Sequence, residues 1–263
     1  MAAAIGELLE DLAAETAVVD GFLAPLAAAQ WELPTPAAGW AIRDQVSHLA
    51  YFDETAALAA TDEEKFRAAA TAAMARGDDF ANEIVLDYRA MPAADLLDWF
   101  RHARRAMIAT FGNADPAVKV PWYGPSMSLA STITARLMET WAHGQDIADA
   151  LGGTRAPTVR LRHVAHLGVR TFPFSYAVRG RPVPDTPVRV ELAAPDGGTW
   201  TWGEAAENSV TGDALDFCLV VTQRRNVADT GLRVTGPVAA EWMSFAQVFA
   251  GPPGPGRQPG ATT

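Results

Sequence analysis

Four ionisable side chains fall on one side of a long predicted helix near the middle of the chain. Its segment, residues 126–151, lies between a Gly-Pro pair and a Gly-Gly pair, and Ser126 can cap its first turn. At 100° per residue the four side chains form a narrow stripe, and the opposite side of the helix is apolar. They are Arg136, Glu139, His143 and Asp146.

Glu139 and His143 within this stripe have the spacing of a metal-binding pair. Positions i and i+4 lie on adjacent turns, close enough for a carboxylate and an imidazole to share one ion. His48, from a second predicted helix, could be a third ligand and leave one position open for water or substrate. These ligand types suit Zn²⁺ or another divalent first-row ion. Glu-x-x-x-His is also the spacing of an ordinary intrahelical pair, so the pattern alone leaves both interpretations open.

Several amphipathic helices are expected to position these residues. Apolar periodicity and breakers predict an up-and-down helical bundle over residues 1–153. The predicted helices cover residues 4–29, 40–60, 62–76, 93–111 and 126–151. In the second of them, His48 shares a face with Asp44, Gln45 and Phe52.

The pattern of predicted secondary structure changes after Gly153. Residues 154–250 combine predicted helices with alternating segments at 188–192 and 199–203, which flank a turn and indicate a hairpin. We therefore expect a smaller α+β domain here. Residues 251–263 are rich in Pro and Gly and are predicted to be a disordered tail.

Composition narrows the classes of function. The 263 residues carry a net charge of −10, which argues against nucleic-acid binding and against an anionic membrane surface. No apolar run is long enough for a membrane span, and the N-terminus lacks the features of a signal peptide, so a cytoplasmic location is expected. The single cysteine, Cys218, excludes internal disulfides and is expected to be a buried, inert thiol.

Two segments resemble known metal motifs. Trp40-x-Ile42-Arg43-Asp44-x-Val46-x-His48-Leu49 resembles the first metal motif of the DinB-like superfamily. Glu139-Thr-Trp-Ala-His143-Gly-Gln-Asp-Ile resembles the second, in the form found in the mycothiol-dependent maleylpyruvate isomerase branch. Residues 188–249 are similar to the C-terminal domain of that branch, which resembles sterol-carrier-protein folds.

The resemblance implies an α+β protein with an N-terminal DinB-like up-and-down four-helix bundle and a smaller C-terminal α+β domain. It implies a divalent metal, usually zinc, held by His48, Glu139 and His143. It further implies an active site in the cleft between the domains, where a low-molecular-weight thiol, usually mycothiol, binds. An arginine of the C-terminal domain is expected near the substrate, and both Arg224 and Arg225 match its place.

The remaining candidates have two interpretations each. Arg136, Arg224 or Arg225 could hold a substrate carboxylate, although the last two could equally cap a helix C-terminus. Asp146 and Asp44 could orient metal-bound imidazoles or form ordinary salt bridges.

The expected function is that of a metal-dependent enzyme, a monomer or homodimer. It would use a small thiol for isomerisation or S-transfer on a small electrophilic, carboxylate-bearing substrate. The alternatives are a thiol-independent tailoring enzyme of secondary metabolism and a non-catalytic binding protein for an apolar small molecule.

Overall fold

The structure is a computed structural model that describes residues 2–77 and 79–261, and it divides into two compact units, Met1–Thr154 and Arg155–Thr263. The helices of the first unit are α1 (Ala2–Leu23), α2 (Ile42–Thr61), α3 (Glu63–Met74), α4 (Phe80–Asp87), α5 (Ala93–Gly112) and α6 (Leu129–Ala150). A 3-10 helix covers Ala28–Glu32, and two short antiparallel strands, β1 (Lys119–Val120) and β2 (Met127–Ser128), precede α6.

The four longest helices, α1, α2, α5 and α6, pack against one another as a bundle. Their shared core includes Val19 from α1, Leu49 from α2, Phe100 from α5 and Ile147 from α6, all completely buried. Helices of this length gain most of their stability from such tertiary packing rather than from intrinsic propensity. The short helix α4 has no counterpart among the helices predicted from sequence.

Local signals explain most of the helix ends. α1 ends at Leu23 rather than at residue 29, because Pro25 cannot supply the backbone N–H that a continuing helix needs. The N-cap of α6 lies two residues later than predicted: Ser128 rather than Ser126 accepts a hydrogen bond, from the Ser131 N–H at 3.1 Å. Pairing of β2 with β1 holds the preceding residues in an extended conformation.

The second unit combines four α-helices and a 3-10 helix (Val227–Asp229) with a mixed sheet within its described residues. The helices are α7 (Leu161–Arg170), α8 (Phe172–Ala177), α9 (Ala214–Val221) and α10 (Pro237–Phe245). The strands are β3 (Val188–Ala193), β4 (Thr199–Trp202), β5 (Asn208–Asp213) and β6 (Arg233–Thr235), arranged in the order β4-β3-β5-β6. The predicted hairpin is present as the antiparallel pair β3–β4, in which Val190 lies opposite Trp202. β3 pairs with β5 in parallel, so the sheet is mixed. This small sheet and its helices, together with the helical bundle of the first unit, confirm the predicted α+β class.

Helices α7 and α9 lie close together in the second unit. A Cβ atom added to Gly168 of α7 would lie 2.8 Å from Cγ2 of Val221, so this contact requires a glycine. Cys218 of α9 is buried, as predicted, and its burial raises the pKa of the thiol far above its ordinary value.

The C-terminal segment contacts other residues of the second unit over its described residues, 251–261. The Asn226 side chain donates to the carbonyl oxygen of Arg257 at 2.7 Å, and the Gly260 N–H donates to the carboxylate of Asp229 at 2.9 Å. Side chains of the second unit thus satisfy backbone groups of the segment, and the disordered tail stays a prediction. Thr262 and Thr263 lie outside the described residues. Within the described part of the chain, no helix has the length and apolarity needed to cross a bilayer.

Candidate metal centre

One cluster of potential metal ligands lies inside the helical bundle. His48 projects from α2, and Glu139 and His143 project from adjacent turns of α6. Oε2 of Glu139 lies 3.0 Å from Nε2 of His143 and 3.5 Å from Nε2 of His48. One ligand atom from each residue lies within 4.8 Å of the other two. The three side chains predicted from sequence are therefore brought together, with their nitrogens directed at one carboxylate oxygen.

These separations match the size of a tetrahedral zinc site. With bonds of about 2.0–2.2 Å to zinc, two ligands of a tetrahedral ion lie about 3.3–3.6 Å apart. The two measured distances to Glu139 lie close to that range. The donor set of two imidazoles and one carboxylate is also one that binds divalent first-row ions and leaves a fourth position open.

A chain of hydrogen bonds fixes the protonation of the His143 ring. The Thr35 hydroxyl donates its single proton to the carbonyl oxygen of Trp40 at 2.9 Å. Thr35 Oγ1, 2.8 Å from the amide nitrogen of Gln45, must therefore accept from that group. The Gln45 amide oxygen then faces Nδ1 of His143, which must be the donor.

The polarity of this chain has a consequence at the other ring nitrogen. In a neutral imidazole with its proton on Nδ1, Nε2 carries a lone pair, and here that lone pair faces the carboxylate oxygen of Glu139. Two acceptors 3.0 Å apart repel each other unless a cation lies between them. Either a proton or a metal ion is thus required at this position, so the residues fit a bound divalent metal.

Aromatic rings enclose the two histidines. The Trp40 ring is nearly parallel to that of His143, with centroids 5.8 Å apart and an angle of 13°. The Phe52 ring lies 4.6 Å from that of His48. The indole N–H of Trp40 donates to the Asn82 side chain at 2.6 Å, which connects this wall of the site to α4. Trp40 is therefore a residue of the site rather than of the apolar core.

Burial controls the ionisation of the cluster. Desolvation, aided by the nearby charge of His143, lowers the pKa of His48 to about 4. Burial alone would raise the pKa of Glu139, but hydrogen bonding with His143 and His48 outweighs it and holds this pKa well below its ordinary value. Near neutral pH the site therefore presents an ionised carboxylate and an uncharged His48 imidazole, the forms that coordinate metals.

Arg136, predicted to bind a substrate carboxylate, lies in a buried triad with Asp53 and Arg104. Its Nε donates to Asp53 at 3.0 Å and its Nη2 donates to the Leu49 carbonyl at 3.2 Å. Arg104 binds the same carboxylate through two nitrogens, at 2.6 and 3.2 Å. Because both Nε and Nη2 of Arg136 are engaged with the protein, its observed contacts support a structural role.

The other predicted polar residues lie in different surroundings. Asp146 is completely buried on α6. Asp44 accepts from the Ala41 N–H at the start of α2 and pairs with Arg89 at 2.9 and 3.0 Å, so the salt-bridge interpretation describes it.

Both candidate arginines of the second unit follow α9. Arg224 donates to the Thr222 carbonyl oxygen at 2.7 Å, at the C-terminal end of α9, as the capping interpretation predicts. Arg225 lines a cavity of about 50 Å³ together with Arg179 and Arg257. The role of Arg224 and Arg225 in substrate binding stays a prediction.

Two groups of residues at the site have no assigned role in the sequence analysis. Gln45 and Thr35 support His143, and Asp53 and Arg104 hold Arg136. The position of Gln45, one turn before His48 on the same helix face, is the only sequence signal for the first group.

Fold and site together define a helical-bundle protein with a largely buried two-histidine, one-carboxylate cluster and a second, mixed α+β unit. Residues 12–148 match the family model described as "Mycothiol maleylpyruvate isomerase N-terminal domain". The chain belongs to the mycothiol maleylpyruvate isomerase family.

Similar proteins extend the likeness over nearly the whole chain. "Uncharacterized protein MT0041" of Mycobacterium tuberculosis (strain CDC 1551 / Oshkosh) is 45% identical over 253 residues, covering 96% of this chain and 98% of its own. "Uncharacterized protein Rv0036c" of strain ATCC 25618 / H37Rv has the same identity and coverage.

Two solved structures share the fold. A crystal structure of the mycothiol-dependent maleylpyruvate isomerase has a TM-score of 0.61 at 15% identity, covering 88% of this chain and 92% of its own. A mutant of that isomerase has a TM-score of 0.59 at 16% identity, covering 82% and 88% of the two chains.

Proposed function

We propose that this protein is a metal-dependent enzyme that uses a small thiol of the mycothiol type. Its reaction would be isomerisation of, or S-transfer to, a small electrophilic substrate that carries a carboxylate. The observation that carries the proposal is the convergence of His48, Glu139 and His143 on one point of the bundle, in a chain of this family.

The three side chains of this cluster would hold a divalent ion, for which Zn²⁺ is the best candidate. Such an ion stabilises the thiolate form of a coordinated thiol near neutral pH. Glu139 supplies the negative charge and the two imidazoles supply neutral donors, so one positive charge remains to attract an anionic ligand. Trp40 and Phe52 cover the two imidazoles and restrict the access of water to them.

A carboxylate-binding arginine is the second part of the proposal. Arg224 and Arg225 remain the candidates, and each offers a guanidinium group that can bind a carboxylate through two parallel hydrogen bonds. Asp146 is kept as a residue that orients the site, since a completely buried carboxylate on the ligand-bearing helix needs polar partners.

Metal analysis of protein purified without an affinity tag tests the metal centre. Wild type is expected to carry about one zinc ion per chain, because two imidazoles and one carboxylate form a suitable donor set. His48→Ala is expected to carry much less zinc. His166→Ala is the matched control, because His166 is an exposed histidine of the second unit that accepts a hydrogen bond from Trp202. Equally low metal in wild type and in His48→Ala would refute the metal centre.

The thiol requirement is tested separately on metal-loaded protein. Maleylpyruvate and a panel of small electrophiles would be assayed with and without mycothiol, following both isomerisation and loss of free thiol. Turnover that depends on the thiol and disappears in His48→Ala supports the proposal. Turnover without thiol would favour a tailoring enzyme, and an apolar ligand that co-purifies without any turnover would favour a binding protein.

A further inference from the structure

We infer that Gln45 is a positioning residue for the metal centre, because its amide fixes the His143 ring with the Nε2 lone pair directed at the ion. The inference rests on the proposed function, since it assumes that the cluster binds a divalent metal. It concerns a residue that is not itself a ligand.

The two histidines of the cluster are supported differently. Nδ1 of His143 is hydrogen-bonded to Gln45, whereas Nδ1 of His48 is buried with no hydrogen-bond partner among the described residues. Metal-binding histidines usually donate their second ring N–H to a partner that sets the tautomer and the ring orientation. In this site that support is therefore concentrated on His143, and Gln45 provides it.

Gln45 is itself held in one orientation. Its side chain is completely buried, and its amide nitrogen donates to Thr35 at 2.8 Å. Thr35 is fixed in turn, since its hydroxyl and its backbone N–H both bind the Trp40 carbonyl, at 2.9 and 2.8 Å. Reversing the amide would place an NH₂ group against the Nδ1–H of His143 and an oxygen against a hydroxyl whose proton is already committed.

Losing this support is expected to weaken metal binding without removing a ligand. Without the Gln45 acceptor, His143 can exchange to the tautomer that carries its proton on Nε2, which cannot coordinate. Substitutions of such supporting partners typically reduce metal affinity about 10- to 100-fold.

The test measures Zn²⁺ affinity by competition with a chromophoric chelator. Gln45→Met, similar in length but without the amide, is expected to bind about 10- to 100-fold more weakly than wild type. Gln45→Glu keeps an acceptor facing Nδ1 and is expected to recover most of the affinity. Thr35→Val, which frees the amide to rotate, is expected to give a smaller loss than Gln45→Met.

Ser47→Ala is the matched control. Ser47 is a buried polar residue of the same helix, and its hydroxyl donates to the backbone carbonyl oxygen of Asp44 at 3.2 Å rather than to a member of the cluster. Its affinity is expected to remain within about twofold of wild type, since no ligand loses a partner. Thermal unfolding of each metal-free variant establishes that it is folded.

A second measurement is independent of activity. Nitrogen-15 NMR of the Zn²⁺-loaded protein is expected to show a proton on Nδ1 of His143 that exchanges slowly with solvent, because Gln45 accepts it in a hydrogen bond. In Gln45→Met this proton is expected to exchange faster.

The outcomes separate this inference from the proposed function. A wild type that binds no Zn²⁺ refutes the metal centre itself. A wild type that binds Zn²⁺, with unchanged affinity in Gln45→Met or an equal loss in Ser47→Ala, overturns the role of Gln45 and leaves the metal centre intact. A wild type that binds Zn²⁺ but shows no slowly exchanging Nδ1 proton on His143 likewise overturns the inference.

Discussion

Replacing Asp53 with Asn is expected to lower the free energy of unfolding of the first unit by about 3–5 kcal/mol. Asp53 is completely buried, and Arg104 and Arg136 beside it are almost completely buried. Removing one partner of a buried ion pair typically costs about this much, because the other charge is left uncompensated in a low-dielectric interior. Here two guanidinium groups lose the same carboxylate, and the two remaining hydrogen bonds of Arg104, to Thr16 and Thr140, carry no charge.

Urea unfolding followed by far-UV circular dichroism measures this loss. With a slope of about 2 kcal/mol per molar urea, the expected loss lowers the midpoint by about 2 M. Asp20→Asn is the matched control: Asp20 also binds an arginine through two nitrogens, at 2.6 and 3.0 Å, but both side chains are about one-third exposed. Exposed pairs contribute only about 0–1 kcal/mol, so this midpoint should move by less than about 0.5 M.

The two variants together test whether burial determines the free-energy cost of losing the carboxylate charge. Equal midpoint shifts for the two variants, or a loss below about 1 kcal/mol for Asp53→Asn, would show that the buried triad is not held by its central charge. Replacing all three members by apolar residues of similar volume is expected to cost far less than Asp53→Asn alone, because no unpaired charge then remains.

Three further outcomes are expected. The free energy of unfolding of the metal-free protein should fall by about 3 kcal/mol as the pH falls from 6.5 to about 4, because His48 binds a proton in the unfolded chain but stays neutral in the folded one. Denaturation in the presence of a chelator across this pH range measures the loss, and His48→Gln should make the free energy of unfolding depend less on pH. Gly168→Ala should destabilise by about 1–3 kcal/mol through its clash with Val221, whereas Gly21→Ala, with nothing within 4 Å of the added atom, should stabilise α1 by up to about 1 kcal/mol; urea midpoints compare the two. Zn²⁺ at about 100 times its dissociation constant should stabilise wild type by about 2.7 kcal/mol and His143→Ala far less, measured by thermal unfolding; equal stabilisation would contradict binding at the cluster.

The parts of the site that were predictable from sequence are those with local signals. The breakers around α6 and the one-turn spacing of Glu139 and His143 depend on neighbouring residues alone. His48 has no such local signal, because it lies on a different helix from the other two ligands. It was identified because the segment around it resembles a known metal motif.

The residues that were missed depend on contacts between distant segments. Arg104 lies in an arginine-rich stretch that is typical of a solvated helix face, yet its carboxylate partner is 51 positions away on α2. Gln45 acquires its role from contacts to a loop and to α6, which no helical periodicity encodes. Only tertiary structure shows which buried polar groups pair, since each is stable inside only with its partner.

The packing of α1 against α6 also bears on how the chain is made. Leu23 at the end of α1 and Leu129 at the start of α6 are 106 positions apart. At a synthesis rate of about 5–20 residues per second, α1 waits about 5–20 s before its partner leaves the ribosome. During that time its apolar face, which includes Leu12 and Val19, has no α6 to cover it. Until α6 emerges, α1 therefore presents an apolar face without its α6 partner, which is the kind of surface that chaperones bind.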